Sequence, residues 1–393
     1  MYYSPHIATA KQLLLGYTPK IPLHVYLKKY FHQNKKHGSK DRKLIAALCY
    51  NYFRLGFALK DVRVEERILT GFFLCEHMYS DFLHFYKPEW NEAINKPLEE
   101  KLTIVFDSHP EKSEIKKIFP FKEELSNEVD PEKFNLSFLY QPKLFIRVRP
   151  GHKNVVLKKL QEAGLQYELI SESCIAMANS SKIDTVIELD KEAVVQDYNS
   201  QRTREFLKSE LGNWKLEIEV WDCCAASGGK SIMAYDINPE IQLTLSDKRR
   251  SILENLQKRF AKAGIKNYRS FVADLTTDNR QLSTEKFDLI IADVPCTGSG
   301  TWARTPEQLY YFNQKQIEKY GALQKHIVEN VLPYLKPGGH FLYITCSVFK
   351  KENEGVVNFI KEKFNLELVK MQFLKGYEIQ ADTMFAALFI HPV

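Results

Sequence analysis

Two cysteines stand directly after apolar segments that resemble buried strands. Cys296 lies in DVPCTG (293–298), and Cys346 lies between Thr345 and Ser347. Structural cysteines usually lie among apolar neighbours, whereas these two are flanked by turn-forming or hydroxyl residues where the chain leaves the sheet. A cysteine becomes a strong nucleophile once local positive charge or hydrogen bonds favour its thiolate. We therefore expect nucleophilic chemistry at these positions.

A second group of polar residues follows the neighbouring strands of the same region. The loop DCCAASGGK (222–230) has two glycines that let the backbone approach a ligand, and Asp247 and Asp274 follow the next two strands. Ligands of open α/β sheets bind beyond the carboxyl ends of the strands, so these residues predict a pocket. The predicted cofactor-binding residues are Cys224, Ala225, Ala226, Ser227, Gly228, Gly229, Lys230, Asp247, Asp274 and Asp293.

The loop does not match two common nucleotide-binding motifs. It lacks the GxGxxG of dinucleotide sites, and Cys224 stands where a P-loop needs its first glycine. Asp247 could accept hydrogen bonds from two ribose hydroxyls, and Asp274 could accept one from an adenine amino group. Each aspartate alone could equally be a helix cap. The three loops together favour an adenosyl ligand without phosphates, such as S-adenosylmethionine.

A thiolate beside a methyl donor suits methylation at C5 of a cytosine. C5 is too weak a nucleophile to attack a methyl sulfonium, and thiolate addition at C6 converts it into an enamine carbon. Asp293 could hydrogen-bond the base at N3 and at its amino group, and a second thiol could assist release. The spacing alone does not say which cysteine attacks.

Strands and helices alternate from about residue 215 onward, which predicts a mostly parallel sheet covered on both faces. The predicted strands span 218–224, 241–247, 268–272, 287–295 and 340–347, with a last strand in MFAALFIHP (384–392). Helices are predicted after the second strand through about 263, over about 307–332, and from Glu352.

The N-terminal part has a different pattern. In KDRKLIAALCYNYFRLGFAL (40–59) apolar residues recur every three or four positions, which is typical of an amphipathic helix. Farther on, strands are predicted over 144–150, 166–170 and 174–177, with a helix over 152–163. We therefore expect three parts: an all-α domain at 1–130, a small α+β domain at 131–205 and a Rossmann-like α/β domain at 206–393.

Composition narrows the class of protein. No run approaches the ~18 apolar residues that span a bilayer, and the N-terminus lacks the pattern of a signal peptide. We therefore expect a cytoplasmic protein without a membrane segment. Seven cysteines without a CxxC pair argue against a disulfide framework and against a zinc site.

Positive charge is concentrated near the N-terminus. The net charge is +6, and nine Lys and Arg residues but a single acid, Asp41, lie between Lys11 and Lys43. Such a cluster is either a solvated helix face or a phosphate-binding surface, and the charges alone favour neither.

These motifs resemble those of the Sun-family (Fmu/RsmB-like) RNA cytosine-5 methyltransferases. The resemblance is strongest over 190–355 and rests on VVQDYNSQ, DCCAASGGK, ADVPCTGSGTWARTPE and LKPGGHFLYITCSVFKKENE. The pairing of a PC motif with a TC motif is highly specific, whereas N-methyltransferases of this fold usually carry an NPPY-like sequence in place of DVPC. One departure is Ser227, where the family usually has proline.

The resemblance implies a role for each residue of the site. Cys346 would be the nucleophile, Cys296 would promote product release, and Asp293 would hold the cytosine. The residues implied to contact S-adenosylmethionine are Lys230, Asp247 and Asp274, and Lys230 would also lie near the target base.

The N-terminal half extends the resemblance. SKDRKLIAALCYNYFRLG (39–56) resembles the NusB-like domain of the family's bacterial ribosomal members, and the α+β segment resembles their RNA-binding subdomain. The resemblance therefore implies an RNA partner, with small-subunit ribosomal RNA favoured, and we expect a monomer without a metal.

Three alternatives stay open: a transfer-RNA substrate, an inactive RNA-binding assembly factor, and an amino-group methyltransferase. The set of Asp293, Cys296 and Cys346 argues against the last two.

Overall fold

A computed structural model describes residues 3–108, 117–211, 218–277 and 285–393. The chain divides into two compact units that alternate along the sequence. The helical unit comprises residues 1–123, 130–141 and 301–313, and the sheet unit comprises residues 124–129, 142–300 and 314–393. Within the described ranges, every helix is too short or too polar to cross a membrane.

The elements follow in chain order. The helices are α1 (Ser4–Gly16), α2 (Leu23–Gln33), α3 (Ser39–Arg54), α4 (Val64–Cys75), α5 (Asp81–Tyr86), α6 (Pro88–Glu92), α7 (Leu98–Ser108), α8 (Pro131–Ser137), α9 (Lys153–Glu162), α10 (Tyr198–Arg202), α11 (Arg204–Leu211), α12 (Gly229–Ile237), α13 (Arg250–Ala263), α14 (Pro306–Tyr310), α15 (Lys315–Val331) and α16 (Glu354–Lys363). The strands are β1 (Leu144–Val148), β2 (Glu168–Leu169), β3 (Cys174–Met177), β4 (Ala193–Val195), β5 (Glu219–Asp222), β6 (Gln242–Asp247), β7 (Tyr268–Val272), β8 (Phe287–Asp293), β9 (Leu335–Thr345), β10 (Glu367–Leu374) and β11 (Met384–Ile390).

The helical unit is built from α1–α8 together with α14, which lies far along the chain. The ring of Tyr310 packs edge-on against Phe53 of α3 at a centroid distance of 5.3 Å. The side chain of Glu307 accepts a hydrogen bond from the backbone N–H of Leu23 at 3.1 Å, at the start of α2. Trp302 is buried and packs against Phe312. The segment 301–313 is therefore part of the core of this unit.

The larger sheet of the sheet unit has seven strands in the order β7-β6-β5-β8-β9-β11-β10. Strands β5–β9 pair in parallel, whereas β11 and β10 are added antiparallel at one side. Apolar residues of the strands and of α12 and α13, such as Val220, Leu243, Leu289, Ile232 and Leu256, form one buried core. This architecture confirms the predicted Rossmann-like fold.

A smaller antiparallel sheet belongs to the same unit. Its strand order is β2-β3-β1-β4, and α9 covers it through a core that includes Ile146, Ile175, Val156 and Leu160. This is the α+β part that the sequence predicted. The all-α character of α1–α8 also agrees with the prediction, while the NusB-like assignment of these helices stays a prediction.

The structure differs from the predicted boundaries in several places. The helix predicted over 307–332 is two helices, α14 and α15, because the chain leaves the helical unit after residue 313 and enters the sheet unit at Gln314. Residues 131–141 and 301–313 belong to the helical unit, whereas 124–129 belong to the sheet unit. The prediction did not include β4, which has three residues, or β10, an edge strand whose Val369 and Met371 are exposed.

Candidate active site

A cavity of about 400 Å³ lies beyond the carboxyl ends of β5, β6, β7, β8 and β9. The order of the strands reverses between β5 and β8, and a crevice forms at such a point in open α/β sheets. Seven of the residues predicted from the sequence line the cavity: Cys224, Ala226, Asp247, Asp274, Asp293, Cys296 and Cys346.

The loop after β5 presents only part of the predicted set to this cavity. The backbone N–H of Ala225 is bonded to the carbonyl of Ser246 at 2.9 Å, and Ser227 is exposed, with its Oγ accepting from Arg259 at 2.9 Å. Gly228 has a φ of +80°, and a Cβ there would lie 2.9 Å from the ring of Phe260. Ala225, Ser227, Gly228 and Gly229, which starts α12, therefore shape the loop, while Cys224 and Ala226 line the cavity.

Asp247 and Asp274 both have partners within the protein. The Asp247 carboxylate accepts hydrogen bonds from the backbone N–H groups of Ala226 at 3.2 Å and of Arg249 at 2.8 Å. Asp274 pairs with Lys248 at 2.6 Å and accepts from the hydroxyl of Thr276 at 2.6 Å. The bond from Lys248, followed by that from Thr276, holds the pKa of Asp274 below its usual value, so this residue is a carboxylate at neutral pH.

Lys230 forms an ion pair with Asp293, which lines the cavity. Its Nζ lies 2.5 Å from Oδ2 of Asp293 and 3.4 Å from the hydroxyl of Ser200, and the residue is only 8% exposed. Burial alone would lower the pKa of Lys230, but attraction to Asp293 outweighs it and raises that pKa. Lys230 is therefore a fixed cation whose charge is directed at Asp293.

Another carboxyl, that of Asp222, interacts with the Lys230–Asp293 ion pair. Asp222, at the end of β5, is 1% exposed and accepts a hydrogen bond from the hydroxyl of Ser231 at 2.5 Å. Burial raises the pKa of Asp222 to about 7, and the negative charge of Asp293 adds to the rise. Asp222 therefore holds a proton more readily than an ordinary aspartate does.

The two cysteines lie side by side on the wall of the cavity. The Sγ atoms of Cys296 and Cys346 are 3.1 Å apart, and both residues are half-buried. Their electrostatic surroundings differ. Cys346 interacts with the Lys230 ammonium, whereas the hydrogen bond to Cys346, burial and the charge of Glu352 raise the pKa of Cys296 well above that of a free thiol. The two thiols therefore lie in different electrostatic surroundings.

Backbone hydrogen bonds connect the two loops that carry the cysteines to each other and to Thr383. The N–H of Gly300 donates to the carbonyl of Cys346 at 2.9 Å, and the N–H of Thr383 donates to the carbonyl of Gly300 at 2.9 Å. A Cβ on Gly300 would lie 1.9 Å from the Thr383 oxygen, so glycine is required for this close approach.

The sequence did not identify several lining residues. Lys248 and Arg249 follow Asp247 directly, and their position beside a predicted pocket residue was an available signal. Ile327 comes from the middle of α15 and carries no local signal. Among the described residues, no group of three or more His, Cys, Asp and Glu side chains is arranged to hold a metal ion.

Comparison with known proteins supports the resemblance predicted from the motifs. Residues 211–392 match the family profile described as 16S rRNA methyltransferase RsmB/F. The ribosomal RNA small subunit methyltransferase B of Enterobacter sp. (strain 638) is 27% identical over 273 residues, 66% of this chain and 59% of that protein. Its counterpart in Shewanella oneidensis is 30% identical over 190 residues, 48% of this chain and 43% of that protein. The chain thus spans less than two thirds of the length of these curated relatives.

Solved structures share the fold. The structure of the protein PH0851 superposes with a TM-score of 0.70 at 19% identity and covers 99% of both chains. NSun6 from Pyrococcus horikoshii with SFG gives a TM-score of 0.58 at 16% identity, covering 70% of this chain and 96% of that one. At these identities the likeness concerns the fold alone. The sequence match supports the resemblance predicted from the motifs, because the RsmB/F methyltransferase profile aligns with residues 211–392 of this chain.

Proposed function

We propose that this protein methylates C5 of a cytosine in RNA, using S-adenosylmethionine as the methyl donor and Cys346 as the nucleophile. The observation that carries the proposal is the pair of thiols, 3.1 Å apart, on the wall of the cavity that Asp247 and Asp274 also line. A methyltransferase that acts on an amino group would need neither thiol.

The residues of the cavity fit an adenosyl cofactor. The size of the cavity, about 400 Å³, lies within the range of small-molecule sites, roughly 300–1,000 Å³. Asp247 would accept bonds from the ribose hydroxyls in place of its contact with the exposed Arg249 side chain, and Asp274 would accept from the adenine amino group. Apolar Val294, Pro295 and Ile327 supply the remaining wall. The bound cofactor would supply an electrophilic methyl group on sulfur.

The resemblance attributes the attack to Cys346, and its surroundings support that role. Lys230 is a buried cation that interacts with Cys346, and positive charge near a cysteine favours nucleophilic attack by its sulfur. The thiolate adds to C6 of the cytosine, a C6–S bond forms, and the electron pair of the C5–C6 double bond becomes available at C5. C5 would then form a bond to the methyl group, while the methyl–sulfur bond of the donor breaks and its electron pair stays on that sulfur.

Asp293 is placed to hold the base during this addition. Lys230 occupies Oδ2 of the Asp293 carboxylate, which leaves Oδ1 to accept a hydrogen bond from the amino group of the cytosine. The positive charge of Lys230 behind Asp293 stabilises the negative charge that moves into the ring as C6 is attacked.

Cys296 is the group nearest to Cys346 that can take up the C5 proton. Its hydrogen bond to Cys346 is the main cause of its raised pKa. Once Cys346 is bonded to C6 and uncharged, that cause disappears and Cys296 loses its own proton to solvent more readily. The Cys296 thiolate then removes the proton from C5, and the electron pair of the C–H bond restores the double bond as the C6–S bond breaks.

The surface of α2 and of the start of α3 would contact the RNA backbone. Exposed cations on or beside these helices are Lys20, Lys28, Lys29, Lys35, Lys36, Lys40, Arg42 and Lys43. The acid within this stretch, Asp41, is engaged by His6 at 2.9 Å. Such a surface binds phosphates and makes affinity fall with salt. The names of the curated relatives favour small-subunit ribosomal RNA, and a transfer-RNA substrate is the alternative that the test below distinguishes.

The decisive experiment combines the two cysteine variants. Cys296→Ala protein, incubated with S-adenosylmethionine and either small-subunit ribosomal RNA or transfer RNA, is expected to accumulate a covalent protein–RNA complex on a denaturing gel. The complex should be absent when Cys346 is also changed to Ala, because the C6–S bond can then no longer form. The RNA that supports the complex identifies the substrate class.

Wild-type protein supplies the control for this experiment, since it should convert the same RNA to 5-methylcytosine without a stable complex. A complex that persists without Cys346 would overturn the assignment of the nucleophile. If wild-type protein leaves both RNAs unmethylated, the protein is an RNA-binding assembly factor; methyl on N4 would identify an amino-group enzyme.

Asp247→Asn is expected to weaken binding of S-adenosylmethionine by roughly 10–100-fold, the effect of losing hydrogen bonds to a charged group. Titration calorimetry without RNA measures this directly. Glu240→Asn, an exposed acid just before β6, is the matched control and should bind as the wild type does. Equal affinity of both variants would remove Asp247 from the cofactor site.

A further inference from the structure

A buried carboxylate joins the two cysteine loops. Glu352 is 0% exposed. Its Oε1 accepts hydrogen bonds from the hydroxyls of Thr297 and Ser347, both at 2.6 Å. Its Oε2 accepts from the backbone N–H of Thr297 at 2.8 Å and from the side-chain amide of Gln324 at 3.0 Å. Thr297 follows Cys296 and Ser347 follows Cys346, so one side chain holds the residue next to each thiol.

The next residue completes this arrangement around Cys346. Asn353 accepts from the hydroxyl of Thr345 at 2.6 Å and donates to the carbonyl of Ser347 at 2.9 Å. Thr345 and Ser347 flank Cys346, so the pair Glu352 and Asn353 fixes the chain on both sides of it. Neither residue lines the cavity, and both act on the thiols from within the protein.

The Glu352 carboxyl also interacts with Cys296. Burial raises the pKa of the Glu352 carboxyl, but Oε2 receives two N–H donors and Oε1 receives two hydroxyls, and these four hydrogen bonds favour the ionised form. Around Cys296 lie Glu352, Cys346 and the phenols of Tyr320 and Tyr343. Glu352 is among the groups that raise the pKa of Cys296, whereas the cation Lys230 interacts with Cys346.

We infer that Glu352 is the positioning residue of the thiol pair: it ties the Cys296 loop to the Cys346 loop and places a buried negative charge beside Cys296. Cys296 thereby remains a neutral thiol until the adduct has formed, and Cys346 is reserved for attack. The inference rests on the proposed roles of the two thiols, and it deepens them by naming what makes two adjacent cysteines unlike.

The test measures the thiols without RNA. Glu352→Gln is introduced into a Cys346→Ala background, which isolates Cys296, and into a Cys296→Ala background, which isolates Cys346. Alkylation by iodoacetamide is followed by peptide mass spectrometry from pH 6 to pH 10. We expect the alkylation midpoint of Cys296 to fall by roughly one pH unit when the like charge is removed, with a smaller change at Cys346. Glu354→Gln, two residues along and bonded to Ser126, is the matched control and should move neither midpoint.

A residue that merely supports the loops would give a different result, namely faster alkylation at every pH with an unchanged midpoint. That result would overturn the inference. Should Glu352→Gln fail to fold, Glu352→Asp keeps the charge but shortens the side chain, and is expected to leave the Cys296 midpoint unchanged. A midpoint that falls in Glu352→Asp would also refute the role of the charge. Because no RNA is present, these outcomes are independent of whether the protein forms an adduct.

Discussion

Replacing Lys230 by methionine is expected to lower the rate of methyl transfer by roughly 10²–10³-fold, the usual effect of removing one charge-stabilising group from an active site. The reason lies in the 2.5 Å contact between Lys230 and Asp293. Without the ammonium, the Asp293 carboxylate loses its counter-charge, and the Cys346 thiolate loses the cation beside it. One substitution would therefore weaken both the proposed nucleophile and the residue proposed to hold the base.

Single-turnover methylation with saturating cofactor and RNA is the appropriate measurement, since it isolates the chemical step. Lys248→Met is the matched control. Lys248 also lines the cavity, but its side chain is 65% exposed and pairs with Asp274, so its loss should alter cofactor binding more than the rate at saturation. A Lys230→Met rate within tenfold of the wild type would show that Lys230 is structural.

Gly300→Ala is expected to destabilise the protein by about 3–5 kcal/mol, the range of severe steric substitutions in buried positions. The added Cβ would lie 1.9 Å from the backbone oxygen of Thr383 and 3.0 Å from that of Cys346. The hydrogen bonds that Gly300 makes with both residues would have to break or lengthen. Because one of these bonds ends at Cys346, activity should fall together with stability.

Urea unfolding followed by circular dichroism gives the size of the change. The control is Gly264→Ala, since Gly264 has a φ of +76° but nothing within 4 Å of the position of a Cβ. That variant introduces backbone strain but no steric clash, so its free energy of unfolding should fall by only about 1 kcal/mol. If the two variants are equally stable, the loops can separate at Gly300 and the close approach is not required.

The sequence predicted the catalytic face because its signals are local. Parallel strands bring their carboxyl ends to one edge, so Asp247 and Cys346 could be placed near each other without knowledge of any contact between them. The limits of β3 and β7 also match the predicted ones, because each strand is short and bounded by turn residues. The roles of the individual residues remain proposals.

The remaining features depend on contacts between distant parts of the chain. Glu352 lies in a charged run, KKENE, where the sequence indicates an exposed helix start, yet it is fully buried by donors from three other segments. Ile327 faces the cavity only because of how α15 lies on the sheet. Neither the hydrophobic periodicity nor any motif of the sequence distinguishes these residues from their neighbours.

The interleaving of the two units also constrains how the chain can be synthesised and divided. The core of the helical unit includes Trp302 and Leu309, which are made only after most of the sheet unit. During translation, part of the apolar surface of α1–α8 therefore stays uncovered until the chain has been synthesised as far as residue 313. A fragment that stops at residue 141 would leave that surface exposed and prone to association, so the helical unit cannot be excised, swapped or inherited as a contiguous module.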